Sequence, residues 1–307
     1  MKRNLAVLTG LLVAWVAQAV GPFPGADLVF IPDPGLRMDD ASNPAAALLQ
    51  DGRVVLFYDQ RLEPPRQLVS VSGDGLTFGA GSNPATAGFV HPFTVALPDG
   101  RFRRYLWSPG AAGFVSETSS DGLRFAADPG IRYSAQPSDK GAVGVYDNYF
   151  NPDGSAVLLY IGDMFGTNNI RRAVSPPGDL GMRFVFDDGN VLGDVTAGGG
   201  SRSFVDPKSI LLPDGRRRLF VMRPDPDGGP RTAGVIWSFI SRDGRAYSPE
   251  PDARLRPTDF RDATLLSLND PVVVRLPDGR YRMYVAALVE RAAGEPRWAI
   301  VSATAVP

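Results

Sequence analysis

The sequence predicts an all-β protein: a five-bladed β-propeller of four-stranded antiparallel blades, its last blade closed by the N-terminal strand. Three observations predict it, namely a hairpin that recurs along the chain, a second turn motif that follows most copies, and an unmatched strand at each end. The clearest hairpin is NDPVVVRLPDGRYRMYVA from Asn269. An Asp-Pro opens a short apolar run, Asp278-Gly279 is read as a tight turn with two positive-φ positions, and an alternating run leads back. The same grammar appears in VDPKSILLPDGRRRLFVM from Val205, VHPFTVALPDGRFRRYLW from Val90 and SNPAAALLQDGRVVLFYD from Ser42. In all four the residue before Pro lies eight positions ahead of the turn Asp, so the first strand has a fixed length. A looser fifth copy, YDNYFNPDGSAVLLYIGD from Tyr146, lacks that Pro. The five hairpins are thus expected to start at Asn43, His91, Asp147, Asp206 and Asp270.

The second motif is Ser-x-Asp-Gly with an aromatic three residues on: SGDGLTF from Ser72, SSDGLRF from Ser119 and SRDGRAY from Ser241, with SPPGDLGMRF from Ser175 as a stretched version. Each closes a second hairpin and plants a ring in the core. Two hairpins make a four-stranded sheet, and repetition of such a unit along the chain is the signature of propeller blades. The fifth unit runs out of chain after its third strand. Leu28 to Ile31 precedes the first copy with nothing to pair with, so it is expected to complete the last blade and remove two open sheet edges.

Ahead of the repeats, Met1 to Ala19 combines Lys2 and Arg3, an apolar run and an Ala-Gln-Ala cleavage signal. It is expected to be a secretory signal peptide, leaving residues 20–307 as one propeller domain that is secreted or periplasmic and, once cleaved, not membrane-bound. No cysteine is present, so stability must come from blade packing and ring closure. A net charge of −1 gives no field for nucleic acid. A monomer is expected.

Strand direction assigns the chemistry to one rim. The starts of the inner strands and the ends of the second strands share a side, while the Asp-Gly turns lie on the other, where an Asp has only a turn to make. The candidate catalytic carboxylates are therefore Asp147, Asp206 and Asp270, and the candidate substrate-binding residues are Asn43, Asp59, Arg61, His91, Trp107 and Arg223. Carboxylates crowded in a partly desolvated funnel cannot all ionise freely, so at least one pKa should rise. The plainer role for any single one is to cap its strand entry by bonding a backbone N–H. For Trp107 the two roles are sugar stacking and blade packing. One His and no Cys supply no transition-metal set, and no cofactor is required, although carboxylates and carbonyls leave room for an axial Ca2+.

The Asp-Pro, apolar strand, Leu-Pro-Asp-Gly-Arg and Tyr-x-Met-Tyr pattern, followed by Ser-x-Asp-Gly and an aromatic, resembles the five-bladed propeller glycoside hydrolases of the family 43 arabinanase and xylosidase type. That resemblance implies a carbohydrate partner and inverting hydrolysis. It implies an Asp base early in the ring, a second Asp that tunes pKa, and a Glu acid on a middle blade, with acid and base roughly 6.5 to 9.5 Å apart. Here the first inner strand carries Asn43 in place of the base, the second carries His91, and no Glu begins an inner strand. The catalytic set is then atypical or degenerate, and a propeller that binds glycan without cleaving it is the alternative. The run NPAAALLQDGRVVLFYDQR with SVSGDGLTF is more distantly similar to the opening of the sialidase superfamily, with Asn43 where that superfamily has an Arg.

Overall fold

The computed structural model describes residues 28–60, 66–82, 93–167, 169–193, 204–224 and 234–305. They form five antiparallel sheets arranged as a five-bladed propeller. The inner strands are Ala41–Leu48, Phe93–Ala96, Val143–Phe150, Val205–Leu211 and Leu265–Arg275. Each touches the inner strand of the next blade, and the fifth touches the first, which closes the ring.

The second strands are Val54–Gln60, Phe102–Ser108, Ala156–Gly162, Arg217–Pro224 and Tyr281–Val289. They are buried along most of their length, arginines included, because a blade is covered on both faces by its neighbours. Five core clusters follow, one at each junction: Phe57 with Phe102, Tyr105 with Leu158, Leu159 with Leu219, Phe220 with Met283, and Tyr284 with Leu56. The last of these joins blade 5 to blade 1.

The N-terminal strand completes blade 5, as its unmatched sequence predicts. Phe30–Pro32 pairs with Ala303–Ala305 and Met38–Asp39 pairs with Ile300 and Ala299. Phe30 stands edge-to-face on Phe220 of blade 4, with centroids 5.7 Å apart. Asp33 then receives the Ser302 and Thr304 hydroxyls at 2.7 and 2.8 Å and lies 3.3 Å from the buried Arg282 guanidinium. Blade 1 is the least regular among the described residues, where beyond its third strand stands a single bridge between Val69 and Ser82. The glycine-rich GLTFGAG run before it has few side chains to pack, and a Cβ on Gly81 would fall 2.1 Å from the Tyr58 hydroxyl.

Two local expectations change. In the Asp-Gly turns only the glycine takes positive φ, between 80° and 88° at Gly52, Gly100, Gly154, Gly215 and Gly279. Gly279 N donates to Leu276 O at 2.9 Å and Leu276 N to Arg280 O at 2.8 Å. The loop is therefore a three-residue type I turn with the glycine left-handed, not a two-residue turn with two positive-φ positions. The turn Asp folds back on the chain: Asp278 accepts the Arg280 amide at 3.0 Å and its Nε at 2.8 Å.

The second change concerns the Asp-Pro and Asn-Pro pairs, which do not open their strands. They are bulges inside them, with register shifts between Ser42 and Ala45, Val205 and Lys208, and Asn269 and Val272. Proline has no N–H for the ladder, so the chain steps out for one residue. Asn43, Asp206 and Asp270 absorb the step at φ of 51°, 57° and 50°, a region that Asn and Asp enter more readily than other side-chain-bearing residues. Blade 3 has its own shift, between Val143 and Tyr146, just ahead of Asp147.

Candidate functional site

The bulges place polar residues on the inner strands of the ring. Asp147 and Asp206 are buried and Asp270 is half-buried. Asp147 Oδ2 accepts the backbone N–H of Ser209 in blade 4 at 2.8 Å, while its Oδ1 has no hydrogen-bond partner among the described residues. Asp206 Oδ2 accepts the backbone N–H of Asp270 in blade 5 at 3.2 Å. Each carboxylate thus stitches its blade to the next one.

Between them stands Lys208, a residue that strand-start reasoning passes over. It is buried on the inner strand of blade 4, and its Nζ donates to the Tyr146 carbonyl of blade 3. Its charge is felt by Asp147 and Asp206, and it feels Asp147, Asp270 and Asp206 in turn. Burial pushes the Asp147 carboxyl up, with Lys208 and the Ser209 hydrogen bonds opposing. The Asp206 carboxyl is pushed up to about 6, again by burial, against the Asp270 amide and Lys208. Burial lowers the Lys208 ammonium, and the three carboxylates resist that change. The rise expected for crowded axial carboxylates therefore falls on Asp147 and Asp206.

The signal for Lys208 was in the sequence. Only three lysines occur in the chain, and this one interrupts an apolar inner strand, VDPKSILL where blade 5 has NDPVVVRL. A charge at such a position needs a counter-charge inside.

Four of the six substrate-binding candidates lie among the described residues. Asn43 donates its Nδ2 to Asp59 Oδ2 at 2.7 Å, and both side chains are half-buried. Trp107 is 6% exposed, edge-to-face on Phe114 at 5.3 Å between centroids, so its face is covered by core packing. The Arg223 guanidinium lies 5.1 Å from the Phe204 ring centre. Arg61 and His91 lie outside the described residues. Among the glutamates, Glu117 and Glu250 are engaged by the buried Arg104 and Arg218 at 2.6 and 2.7 Å, and Glu290 and Glu295 are exposed. Glu63 lies outside the described residues.

Among the described residues no group of three or more His, Cys, Asp or Glu is placed to hold a metal ion, and the charge of the Lys208 ammonium acts on the axial carboxylates. A separate cavity of about 300 Å³ lies at the blade closure, between Ile31, Pro32 and Leu36 on one side and Phe260 and Leu265 on the other. None of the candidate residues lines it.

No protein-family model matches this sequence, and no curated protein matches it. Solved structures do match by fold. An α-L-arabinofuranosidase from Podospora anserina, determined in complex with cellotriose, superposes with a TM-score of 0.63 at 14% identity, covering 91% of this chain and 95% of that one. An endo-arabinase from Bacteroides thetaiotaomicron gives 0.62 at 13% identity, covering 90% and 96%. An endo-1,5-α-L-arabinanase from Thermotoga petrophila gives 0.60 at 14% identity, covering 88% of this chain and 72% of the other. At such identities the likeness is one of architecture, and the chain shares with these three proteins the fold of a five-bladed propeller.

Proposed function

We propose that this chain is an exported glycoside hydrolase-like protein that acts on a saccharide at the axial funnel through Asp206, Asp270 and Asp147. One observation carries the reading: a carboxyl group in an axial bulge, Asp206, is raised to about 6 by burial and is therefore still partly protonated near neutral pH. That is the state a general acid needs in order to protonate a departing glycosidic oxygen. Asp270, the more exposed of the pair, is the carboxylate that would take a proton from water, and Asp147 with Lys208 sets the charge around them. The saccharide-active proteins that share the fold support the substrate class.

The test is hydrolysis of a panel of aryl furanosides, aryl pyranosides and polysaccharides by the secreted protein, with Asp206→Asn and Asp270→Asn alongside. The expected outcome is turnover of at least one substrate and a loss of a hundredfold or more in each variant. Inactivity of the wild type on the whole panel removes the hydrolase reading. Asn43 favours a second one, because an amide bound to Asp59 stands where the family resemblance expects a base. On that reading the propeller holds a glycan without cleaving it, and calorimetry would record binding with no release of reducing sugar. N-terminal sequencing of the exported protein, expected to begin at Val20, tests the signal peptide.

A further inference from the structure

Lys208 is 5% exposed, and its surroundings come from three blades. The Tyr146 carbonyl and the Asp147 carboxylate belong to blade 3, Asp206 to its own strand, and Asp270 to blade 5. A backbone carbonyl with several carboxylates is the kind of oxygen set that holds a hard divalent cation. Here a side-chain ammonium faces those oxygens. The neighbouring contacts repeat the cross-blade theme, since Ser209 N reaches Asp147 and Asp270 N reaches Asp206. Arg217 reaches the edge of this cluster: its guanidinium sits 3.4 Å from the Tyr149 ring centre, bonds Phe150 O at 3.4 Å and Ser209 Oγ at 3.5 Å, and its charge also acts on Asp147.

We infer that Lys208 is a built-in axial cation, a tethered ammonium that ties blades 3, 4 and 5 together and neutralises their buried carboxylates in place of a bound metal ion. A tethered charge cannot be lost to dilution or chelators. It also offers one positive charge where a divalent ion offers two, so three carboxylates around it cannot all be ionised without leaving uncompensated buried charge. The ring would then keep a proton among its axial carboxylates as a consequence of having a lysine there.

The experiment reads folding and needs no substrate, so it stands or falls apart from any hydrolase activity. Thermal and urea unfolding of the wild type are measured with millimolar Ca2+ and with EDTA, and a Ca2+ titration is followed by calorimetry. The expected result is no shift in midpoint and no stoichiometric heat. Stoichiometric Ca2+ binding that raises the midpoint overturns the inference. A double-mutant cycle then tests the charge itself. Lys208→Met removes the larger of the two positive charges that act on Asp147, and Asp147→Asn in the same chain relieves the imbalance. The two changes should couple by about tenfold or more in the folding equilibrium. Additive effects overturn the proposal. If Lys208→Met alone does not fold, the double variant is expected to fold, and its failure also overturns the proposal.

Discussion

Asp206 is subject to two demands that pull apart, since a buried carboxyl that stays protonated suits acid chemistry and opposes stability once it ionises. Its folded pKa of about 6 lies above the value of roughly 3.9 for an unfolded chain. The folded state therefore holds the proton more tightly between about pH 4 and pH 6. The stability this supplies is fully present below that window and is lost as the pH rises through it, by about 3 kcal/mol. An amide cannot ionise, and its carbonyl oxygen can still accept the Asp270 N–H. Asp206→Asn is therefore expected to match the wild type in stability at pH 4 and to exceed it by about 3 kcal/mol at pH 7.5, read from urea midpoints at both pH values. Equal stability at pH 7.5 would mean that Asp206 ionises in the fold as readily as in water. The same variant should be inactive if the proposed chemistry is right, which makes the residue a site where function opposes folding.

At the scale of the element, the bulges and the closing strand make the sharpest predictions. Asn43, at φ 51° ahead of a proline, holds a conformation that costs an alanine roughly 1 to 2 kcal/mol. Asn43→Ala should lose about that much plus its bond to Asp59, whereas Asn43→Gly should lose less, and chemical denaturation separates the two. In the closing strand, alternation decides the outcome: Phe30 is buried against Phe220 while Val29 is 64% exposed. Phe30→Ala should cost about 3 to 4 kcal/mol and Val29→Ala close to nothing. The hairpins and the closure were legible because the Leu-Pro-Asp-Gly-Arg turn and the apolar runs are local signals written the same way several times. The bulges were not, because an Asp-Pro at a strand entry and an Asp-Pro inside a strand have the same letters. Which one forms depends on whether residues upstream, such as Leu265 to Asn269, find a partner strand. Trp107 fell between core and rim for the same reason, since its contact with Phe114 is made across strands. Lys208 was visible as an oddity, but two of its three carboxylate neighbours, Asp147 and Asp270, arrive from blades that only the ring brings together.

For the whole molecule, stability is a property of the ring more than of any blade. The five core clusters lie between blades rather than within them, so a blade taken out of the ring exposes two apolar faces. The buried arginines reinforce this from the outside: Arg282 is held by Asp33 from the closing segment at 3.3 Å and donates to Thr304 Oγ1 at 3.0 Å. Removing Asp33 leaves a guanidinium that is 2% exposed with only neutral partners besides water, a loss of about 3 kcal/mol or more by the usual cost of breaking a buried pair. Because every blade depends on both neighbours, that loss should not stay in blade 5. Asp33→Ala is expected to lower the melting temperature seen by far-UV circular dichroism and by tryptophan fluorescence by the same amount. The described tryptophans sit in blades 2, 4 and 5, at Trp107, Trp237 and Trp298, so fluorescence samples positions around the ring. Coincident transitions in the variant would mark one cooperative unit. A split, with the blade 5 signal lost early and the blade 2 signal unmoved, would mean that the interblade cores hold without closure and that the N-terminal strand is an addition to the propeller, not its clasp.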